Sequence, residues 1–240
     1  MALRFELAVV SLPRIDRMIP LRLDSALFGM GSFSDSEPRF GIEKGVWRTA
    51  VGYSGGRYEN PSYEDLGDHV ETVMVEYAPH SLSYGQLLDI FLNRYGCREG
   101  SSSKCISHVF VKNESEKRLA EAAIERYGLR FCGDSLVKTA MYKNFYRAEP
   151  WRQKHFLRMN PQLMDELRHI YPDEDRLLQS TLATRLNGIL GQRSSREFYP
   201  PLLPDDFELY DLSERAEIIL KNAIDLPVTA PLLHLQPALA

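Results

Sequence analysis

The fold of this chain is decided around the stretch FGMGSFSDSEPRFG, residues 28–41. Gly29 and Gly31 frame a turn whose apex residue is Ser32, and the segment LDSALF at 23–28 leads into it. After the turn, GVWRTAVGYSGG at 45–56 places β-branched and aromatic residues between glycines, a composition typical of a strand. The stretch therefore predicts a strand, a tight turn, a short helix and a second strand.

Pro38 constrains where that short helix begins. A proline beyond the first turn removes a hydrogen bond and clashes with the carbonyl four residues back, at about 3 kcal/mol. With Ser36 as N-cap, Pro38 falls in the first turn, and with Ser34 as N-cap, Glu37 completes a capping box. We therefore expect Ser32 to lie outside the helix, away from the dipole of its N-terminus.

Hydrophobic periodicity predicts the next elements. In HVETVMVEYAP, Val73, Val75 and Tyr77 fall on one face of a strand, and SLSYGQLLDIFLNRYG has helical spacing that ends at Gly96. Strands separated by helices, some with short connections, predict an α+β fold of two layers. The remaining elements predicted before residue 145 are a strand at 108–111, a helix from about Ser115 to Tyr127 closed by Gly128, and a strand at 137–142.

The C-terminal part is predicted to be an extension of this domain. A helix is expected from near Glu149 to just before Pro161, followed by two more, the second formed by DRLLQSTLATRLNGIL. The predicted segments are an N-terminal segment at 1–22, the α+β domain at 23–161, a helical extension at 162–191 and a proline-rich tail at 192–240.

One amphipathic helix is predicted within the proline-rich tail. The segment DLSERAEIILKNAI has Asp211 and Glu214 at capping-box spacing, which predicts a start at Asp211. Its apolar face is expected to dock on its own domain, and a helix that binds a partner protein is the alternative.

Composition excludes several classes of protein. A net charge of -4 over 240 residues gives no reason to bind nucleic acid, and no apolar run approaches the roughly 20 residues that span a membrane. Six scattered histidines predict no metal site, and three cysteines without CxxC spacing predict no disulfide framework. The cytoplasm is the expected location, and the N-terminal arginines leave organellar import as an alternative.

Several strings resemble the A-type peptide methionine sulfoxide reductases (MsrA). The string FGMGSF stands where that family has its GCFW turn, and four further strings follow in the family's order over residues 24–161. The resemblance implies an α+β fold with a ferredoxin-like core and a mixed sheet with flanking helices. A C-terminal helix found in part of the family resembles LATRLNGIL, and the four strings are VGYSGG, NPSYEDLGDHVE, LSYGQLLDIF and FYRAEPWRQKHFLRMNP.

The resemblance also implies a chemistry. In the family, a cysteine thiolate attacks the sulfur of a methionine-(S)-sulfoxide, and a phenylalanine and a tryptophan hold the methyl group. A glutamate and tyrosines bind the oxygen and help to protonate it. The resulting sulfenic acid is reduced by further thiols and an external reductant of the thioredoxin type, with no bound cofactor.

This sequence departs from that pattern at several positions. Ser32 takes the place of the nucleophile and Ser34 that of the tryptophan, whereas Phe33 is retained. Glu71 matches the acid and Tyr63 a tyrosine beside the oxygen. By the same resemblance, His69 is assigned to substrate binding, and an ungapped alignment puts Cys105 at the second tyrosine and Gly100 at an aspartate.

Three hypotheses for function follow. The first is a degenerate family member with a binding or structural role, whose partner is a methionine-sulfoxide-containing peptide or protein, or a protein bound through the C-terminal extension. The second is an active reductase in which Cys105 or Cys97 supplies the thiol and Glu71 the acid. Each cysteine also has a simpler interpretation, Cys105 as a space-filling side chain and Cys97 as an inert surface thiol. Hydrolysis by Ser32 is a third hypothesis, for which no histidine base is identified.

Overall fold

The computed structural model describes residues 11–95, 107–131, 137–192 and 203–225. Cys97, Cys105 and Cys132 lie outside these ranges, as do Gly96 and Gly100, so the predictions made for them concern residues outside the described part.

A six-stranded mixed sheet forms one layer of the fold, in the strand order β5-β4-β1-β3-β2-β6. The four strands β4-β1-β3-β2 pair antiparallel, as in a ferredoxin-like core, β6 adds to β2 antiparallel, and β5 adds to β4 in parallel. The α+β prediction is therefore confirmed. The strands are β1 Asp24–Gly29, β2 Val46–Ser54, β3 Val70–Tyr77, β4 Ser107–Val111, β5 Val137–Met141 and β6 Phe145–Arg147.

Helices cover this sheet through an aromatic stack. Phe28 of β1 stacks against Phe40 at 5.2 Å and against Phe91 at 4.7 Å between ring centroids, and all three side chains are fully buried. Phe40 lies on the helix after the glycine turn and Phe91 on the next helix, so the two helices pack on the same side of β1. These helices are α2 Phe33–Gly41 and α3 Tyr84–Tyr95, and they are followed by α4 Glu114–Phe131.

The remaining helices pack around a second hydrophobic core. Leu182 and Leu186, at its centre, are fully buried, and Ile15 reaches the same core from the N-terminal segment. Ala216 and Leu220 are also buried there, so the predicted docking of the last helix on its own chain is confirmed. The helices are α1 Arg14–Arg17, α5 His155–Arg158, α6 Pro161–Ile170, α7 Glu174–Leu178, α8 Thr181–Gly191 and α9 Glu214–Asp225, with 3-10 turns at Pro150–Arg152 and Phe207–Tyr210.

Three predicted helix boundaries are wrong, and the hydrogen bonds and backbone conformation at each of them show why. The helix predicted from Glu149 is split, since Lys154 has a left-handed backbone with φ of 54°. The helix predicted through 175–190 breaks at Ser180, whose hydroxyl accepts a hydrogen bond from the Ala183 amide at 3.0 Å and so caps α8. Helix α9 is capped by Ser213, because Asp211 instead binds Arg14.

A fourth boundary, the predicted end of α4 at Gly128, is also wrong. The helix continues through this glycine to Phe131. A glycine inside a helix costs about 1 kcal/mol relative to alanine but does not by itself end the helix.

Helix α8 holds the short helix α2 at close range. A Cβ atom on Gly41 would lie 2.5 Å from the Thr184 carbonyl oxygen, so only glycine allows this approach. At the C-terminal end of α2, the buried Arg185 donates hydrogen bonds to the carbonyl oxygens of Gly41 and Glu43, at 2.7 and 3.0 Å. A cation at this end stabilises the helix because it opposes the negative end of the dipole.

A fully buried ion pair joins α2 to the rest of the chain. The Lys154 ammonium contacts a Glu37 carboxylate oxygen at 2.5 Å and donates to the Thr49 carbonyl oxygen of β2 at 2.6 Å. The same carboxylate accepts hydrogen bonds from the Thr49 hydroxyl and, at 3.3 Å, from the Asn187 amide of α8. Burial lowers the pKa of Lys154, and the carboxylate of Glu37 opposes that shift.

Removing one member of this pair is expected to destabilise the fold strongly. Lys154→Met should lower the free energy of unfolding by about 3–5 kcal/mol, because the Glu37 carboxylate is left buried without its partner. Replacing both residues, as Glu37→Gln with Lys154→Met, should recover much of that loss because no buried charge remains. Urea unfolding followed by circular dichroism measures both values.

The matched control is Lys221→Met, which removes an exposed lysine paired with Glu217 on α9. Its free energy of unfolding is expected to change by no more than about 0.5 kcal/mol. A Lys154→Met variant as stable as this control would contradict the role given to the buried pair.

Candidate active site

The glycine turn places Ser32 at the N-cap of α2. Gly31 has φ of 81°, which favours glycine, and the helix begins at Phe33. The Ser32 carbonyl oxygen accepts hydrogen bonds from the amide and hydroxyl of Ser36, at 3.2 and 2.8 Å, while its own exposed hydroxyl makes no capping bond. The predicted start at Ser34 or Ser36 is therefore wrong, and residue 32 lies at the positive end of the helix dipole.

The helix continues through Pro38 because neighbouring elements fix it. Pro38 is buried against α8, where a Cβ atom on Gly191 would lie only 2.3 Å from the proline ring. The preceding residue, Glu37, is fixed by the buried ion pair. These contacts offset the hydrogen bond that proline cannot make.

Glu71 on β3 closes the N-terminal end of α2. Its carboxylate accepts a hydrogen bond of 2.8 Å from the Phe33 amide, one of the helix amides that have no partner within the helix. Burial raises the pKa of Glu71, although the Phe33 amide and the positive charge of Arg152 oppose the shift. The structure thus brings together the Ser32 turn, Phe33 and Glu71.

Aromatic rings line the space beside this turn. The Phe33 side chain is 1% exposed, and its centroid lies 5.9 Å from that of Tyr53 and 6.3 Å from that of Tyr63. Tyr63 is 40% exposed and forms the outer part of the group. Ser34 is half-buried one position further along α2 and adds a small polar side chain where a large ring would add apolar surface.

Glu149 ties two of these aromatic residues together. One carboxylate oxygen accepts a hydrogen bond of 2.8 Å from the Tyr53 hydroxyl, and the other accepts one of 3.0 Å from the Tyr63 amide. Burial raises the pKa of Glu149, but these bonds and the nearby Arg152 lower it by more, so the net shift is downward. The guanidinium carbon of Arg152 lies 3.3 Å from the Tyr63 ring centroid, as a cation–π contact.

Tyr53, Glu149 and Arg152 are site residues that the sequence analysis did not single out. All three belong to strings that resemble the family, VGYSGG and FYRAEPWRQKHFLRMNP. Their place in these strings could have pointed to them as candidate site residues. Their spacing in the sequence, however, does not show that the three side chains meet.

His69 holds the β2–β3 loop. Its Nδ1 accepts a hydrogen bond from the Gly56 amide at 3.2 Å, so its Nε2 carries the proton and donates to the Tyr58 carbonyl oxygen at 2.8 Å. Both ring nitrogens are occupied by the backbone. This geometry gives no support to a His69 base for Ser32, and the assignment of His69 to substrate binding stays a prediction.

Neither a metal cluster nor a membrane span is found in the described part of the chain. Within the described ranges, no three histidine, cysteine, aspartate or glutamate residues are grouped to hold a metal ion. The helices in those ranges are too short or too polar to cross a bilayer.

The raised pKa of Glu71 predicts a pH-dependent stability difference. Between the ordinary pKa of 4.5 and the higher pKa of Glu71 in the folded state, the folded chain retains a proton that the unfolded chain has lost. The stability of the wild type therefore falls as the pH rises from the lower to the higher of these two pKa values. Glu71→Gln does not titrate and can still accept the Phe33 amide bond. It should gain stability relative to the wild type between about pH 4 and about pH 7.

Thermal melting of both proteins at the two pH values measures this difference. Glu217→Gln, on the exposed side of α9, controls for the loss of a surface carboxylate. A melting-temperature difference between Glu71→Gln and the wild type that stays constant with pH would contradict the prediction.

Comparisons with known proteins agree with this architecture. The family model described as peptide methionine sulfoxide reductase matches residues 24–185. Peptide methionine sulfoxide reductase A5 of Arabidopsis thaliana is 41% identical over 174 residues, covering 69% of this chain and 67% of that protein. The peptide methionine sulfoxide reductase of Drosophila melanogaster is 36% identical over 170 residues, covering 69% of this chain and 68% of that protein.

A solved structure shares the fold. Reduced Mxr1 from Saccharomyces cerevisiae superposes with a TM-score of 0.50 at 21% identity, over 60% of this chain and 89% of that one. That likeness concerns the fold alone. The family model that matches residues 24–185 and the relative that is 41% identical show that the chain belongs to the A-type peptide methionine sulfoxide reductase family.

Proposed function

We propose that this chain binds methionine-sulfoxide-containing peptides in the pocket at the start of α2 and does not reduce them through residue 32. The observation that carries the proposal is Ser32 at the N-cap of α2, directly before the amide that Glu71 holds. The position suits an activated nucleophile, but the side chain there is a hydroxyl.

Electron balance explains why a hydroxyl cannot replace the thiol. Reduction of a sulfoxide to a sulfide takes up two electrons, and a cysteine supplies them when its sulfur becomes a sulfenic acid. Disulfide exchange then returns those electrons from another thiol. A serine oxygen has no equivalent oxidation states, so activating Ser32 as a nucleophile would not reduce a substrate.

Other features of the pocket support binding of a methyl sulfoxide. Tyr63, which is 40% exposed beside the buried Phe33 ring, offers aromatic surface for the S-methyl group, a contact of about 0.3–1.5 kcal/mol. Because burial raises the pKa of Glu71, a larger fraction of this carboxyl carries a proton than in an exposed glutamate, and only the protonated form can donate a hydrogen bond to an S=O oxygen. Ser34 leaves the methyl side of the pocket more open and more polar.

The proposal requires no bound cofactor, and it is compatible with a location in the cytoplasm. An external reductant of the thioredoxin type becomes relevant only if the chain is an active reductase. In that case the thiol must come from Cys105, Cys97 or Cys132, the cysteines that the sequence contains. Binding without reduction and active reduction can be separated in one assay.

The purified chain, with dithiothreitol and a peptide containing one methionine-(S)-sulfoxide, is expected to bind the peptide and form no methionine. Isothermal titration calorimetry measures the binding, and mass spectrometry follows the product against a reaction without protein. Reduction of the S epimer that disappears in Cys105→Ala or Cys97→Ala would overturn the proposal and establish the active reductase.

Restoring the thiol alone is expected to restore little activity. Ser32→Cys places a thiol at the N-terminus of α2, where its pKa should fall below the ordinary value of about 8.5. Mapping of alkylated cysteines by mass spectrometry should show rapid modification at position 32. Turnover should stay low because the methyl group still lacks a large aromatic neighbour at position 34.

The double variant Ser32→Cys with Ser34→Trp tests that explanation. It is expected to reduce the peptide about tenfold faster than Ser32→Cys, which corresponds to about 1.4 kcal/mol of added apolar and sulfur–aromatic contact. Ser34→Trp alone is the control and should show no turnover. Equal rates for the single and double variants would show that position 34 does not limit the reaction.

A further inference from the structure

We propose that the Arg152 guanidinium binds the sulfoxide oxygen and makes the pocket prefer oxidised methionine over methionine. This inference rests on the proposed binding function and assigns a specificity-determining residue to it. Three observations support it, namely the position of Arg152, a guanidinium that donates to no acceptor in the described part of the chain, and the hydrogen bonds that hold the backbone on its C-terminal side.

Arg152 lies beside the pocket at the end of the 3-10 turn Pro150–Arg152. Its guanidinium carbon is 3.3 Å from the centroid of Tyr63, the ring that faces Phe33 at 6.3 Å. Its positive charge also acts on Glu71, the carboxyl that holds the first amide of α2. The cation therefore lies against the Tyr63 ring, and its charge acts on the acid that the proposed function uses.

The hydrogen-bond donors of Arg152 are available to a ligand. Within the described ranges, no residue accepts a hydrogen bond from its guanidinium, and its Nε atom is buried without a partner. Because Nε is buried, the donors assigned to the ligand are the N–H groups on the two terminal nitrogens of the guanidinium, which lies over the partly exposed Tyr63 ring.

The backbone at Arg152 is fixed by the next residue. The Gln153 side chain accepts a hydrogen bond from the Val51 amide at 2.9 Å and donates to the carbonyl oxygens of Val51 and Ala148, at 2.8 and 3.0 Å. The buried Lys154 follows directly and is held by Glu37. Arg152 therefore projects from a rigid segment, which lowers the entropy lost when it binds a ligand.

The chemistry of the two ligands explains the expected preference. A sulfoxide oxygen carries substantial negative charge and accepts strong hydrogen bonds, whereas a thioether sulfur is a weak acceptor. A hydrogen bond to a charged donor typically changes affinity by roughly tenfold to a hundredfold. Arginine remains charged at all physiological pH values, so the donor is always present.

Binding of two peptides by calorimetry tests the inference. The probes are one peptide with a single methionine-(S)-sulfoxide and the same peptide with methionine, titrated into the wild type, Arg152→Met and Arg152→Lys. The wild type should prefer the sulfoxide by about tenfold or more. Arg152→Met should lose this preference while its affinity for the methionine peptide changes little, and Arg152→Lys should keep only part of it.

Arg168→Met is the matched control, because Arg168 is an exposed arginine on α6 paired with Asp165. It should retain the wild-type preference. If Arg152→Met keeps that preference, or if it weakens both peptides equally, the role of Arg152 is overturned while the proposed function stands. If the wild type binds neither peptide, the proposed function fails as well. If Arg152→Met is poorly folded, the sulfoxide preference of Arg152→Lys still tests the inference.

Discussion

The buried contact between Glu37 and Lys154 is the constraint on which the site depends. Two charges removed from water are tolerated only when they are paired and their remaining hydrogen-bonding groups are satisfied. Thr49 and Asn187 supply the additional partners, so the pair fixes β2 and α8 against α2. The pair also explains the left-handed backbone of Lys154. This conformation costs about 1 kcal/mol or more of free energy, and the surrounding hydrogen bonds hold the residue in it. The N-terminal end of α2, with Ser32, is positioned from this anchor.

The chain beyond residue 161 is a structural part of the site. Helix α2 is held at its N-terminal end by Glu71 and at its C-terminal end by Arg185 of α8, where Gly41 also allows the close approach of α8. Helix α8 is itself held from the N-terminal segment, where the Asp16 carboxylate accepts hydrogen bonds from the Thr181 amide and the Tyr171 hydroxyl. Residues far apart in the sequence thus determine the geometry of one short helix.

The sequence predicted those parts of the molecule that local patterns encode. The period-two pattern of β3 correctly placed Val73, Val75 and Tyr77 in the core, because one face of that strand is buried. The start of α2 was predicted wrongly. Helix propensity disfavours Pro38 inside a helix, but packing of Pro38 against α8 compensates for that cost. The same holds for the residues of the candidate site. The resemblance to the family pointed to Glu71 and Phe33. Tyr53, Glu149 and Arg152 meet only through tertiary contacts, which their spacing in the sequence does not reveal.

The structure also explains how the thiol chemistry of the family could be lost while the fold is retained. Ser32 supports α2 through its backbone carbonyl, and its side chain makes no capping bond, so residue 32 can change without a cost to the fold. Glu71 and Glu149 are different, because their carboxylates hold the Phe33 and Tyr63 amides. Replacing either with a side chain that cannot accept these bonds would leave a polar group unpaired, at about 1–3 kcal/mol where that group is buried. The bond to the Phe33 amide gives Glu71 a structural role beside its proposed contact with the sulfoxide oxygen, so its presence alone does not indicate catalysis.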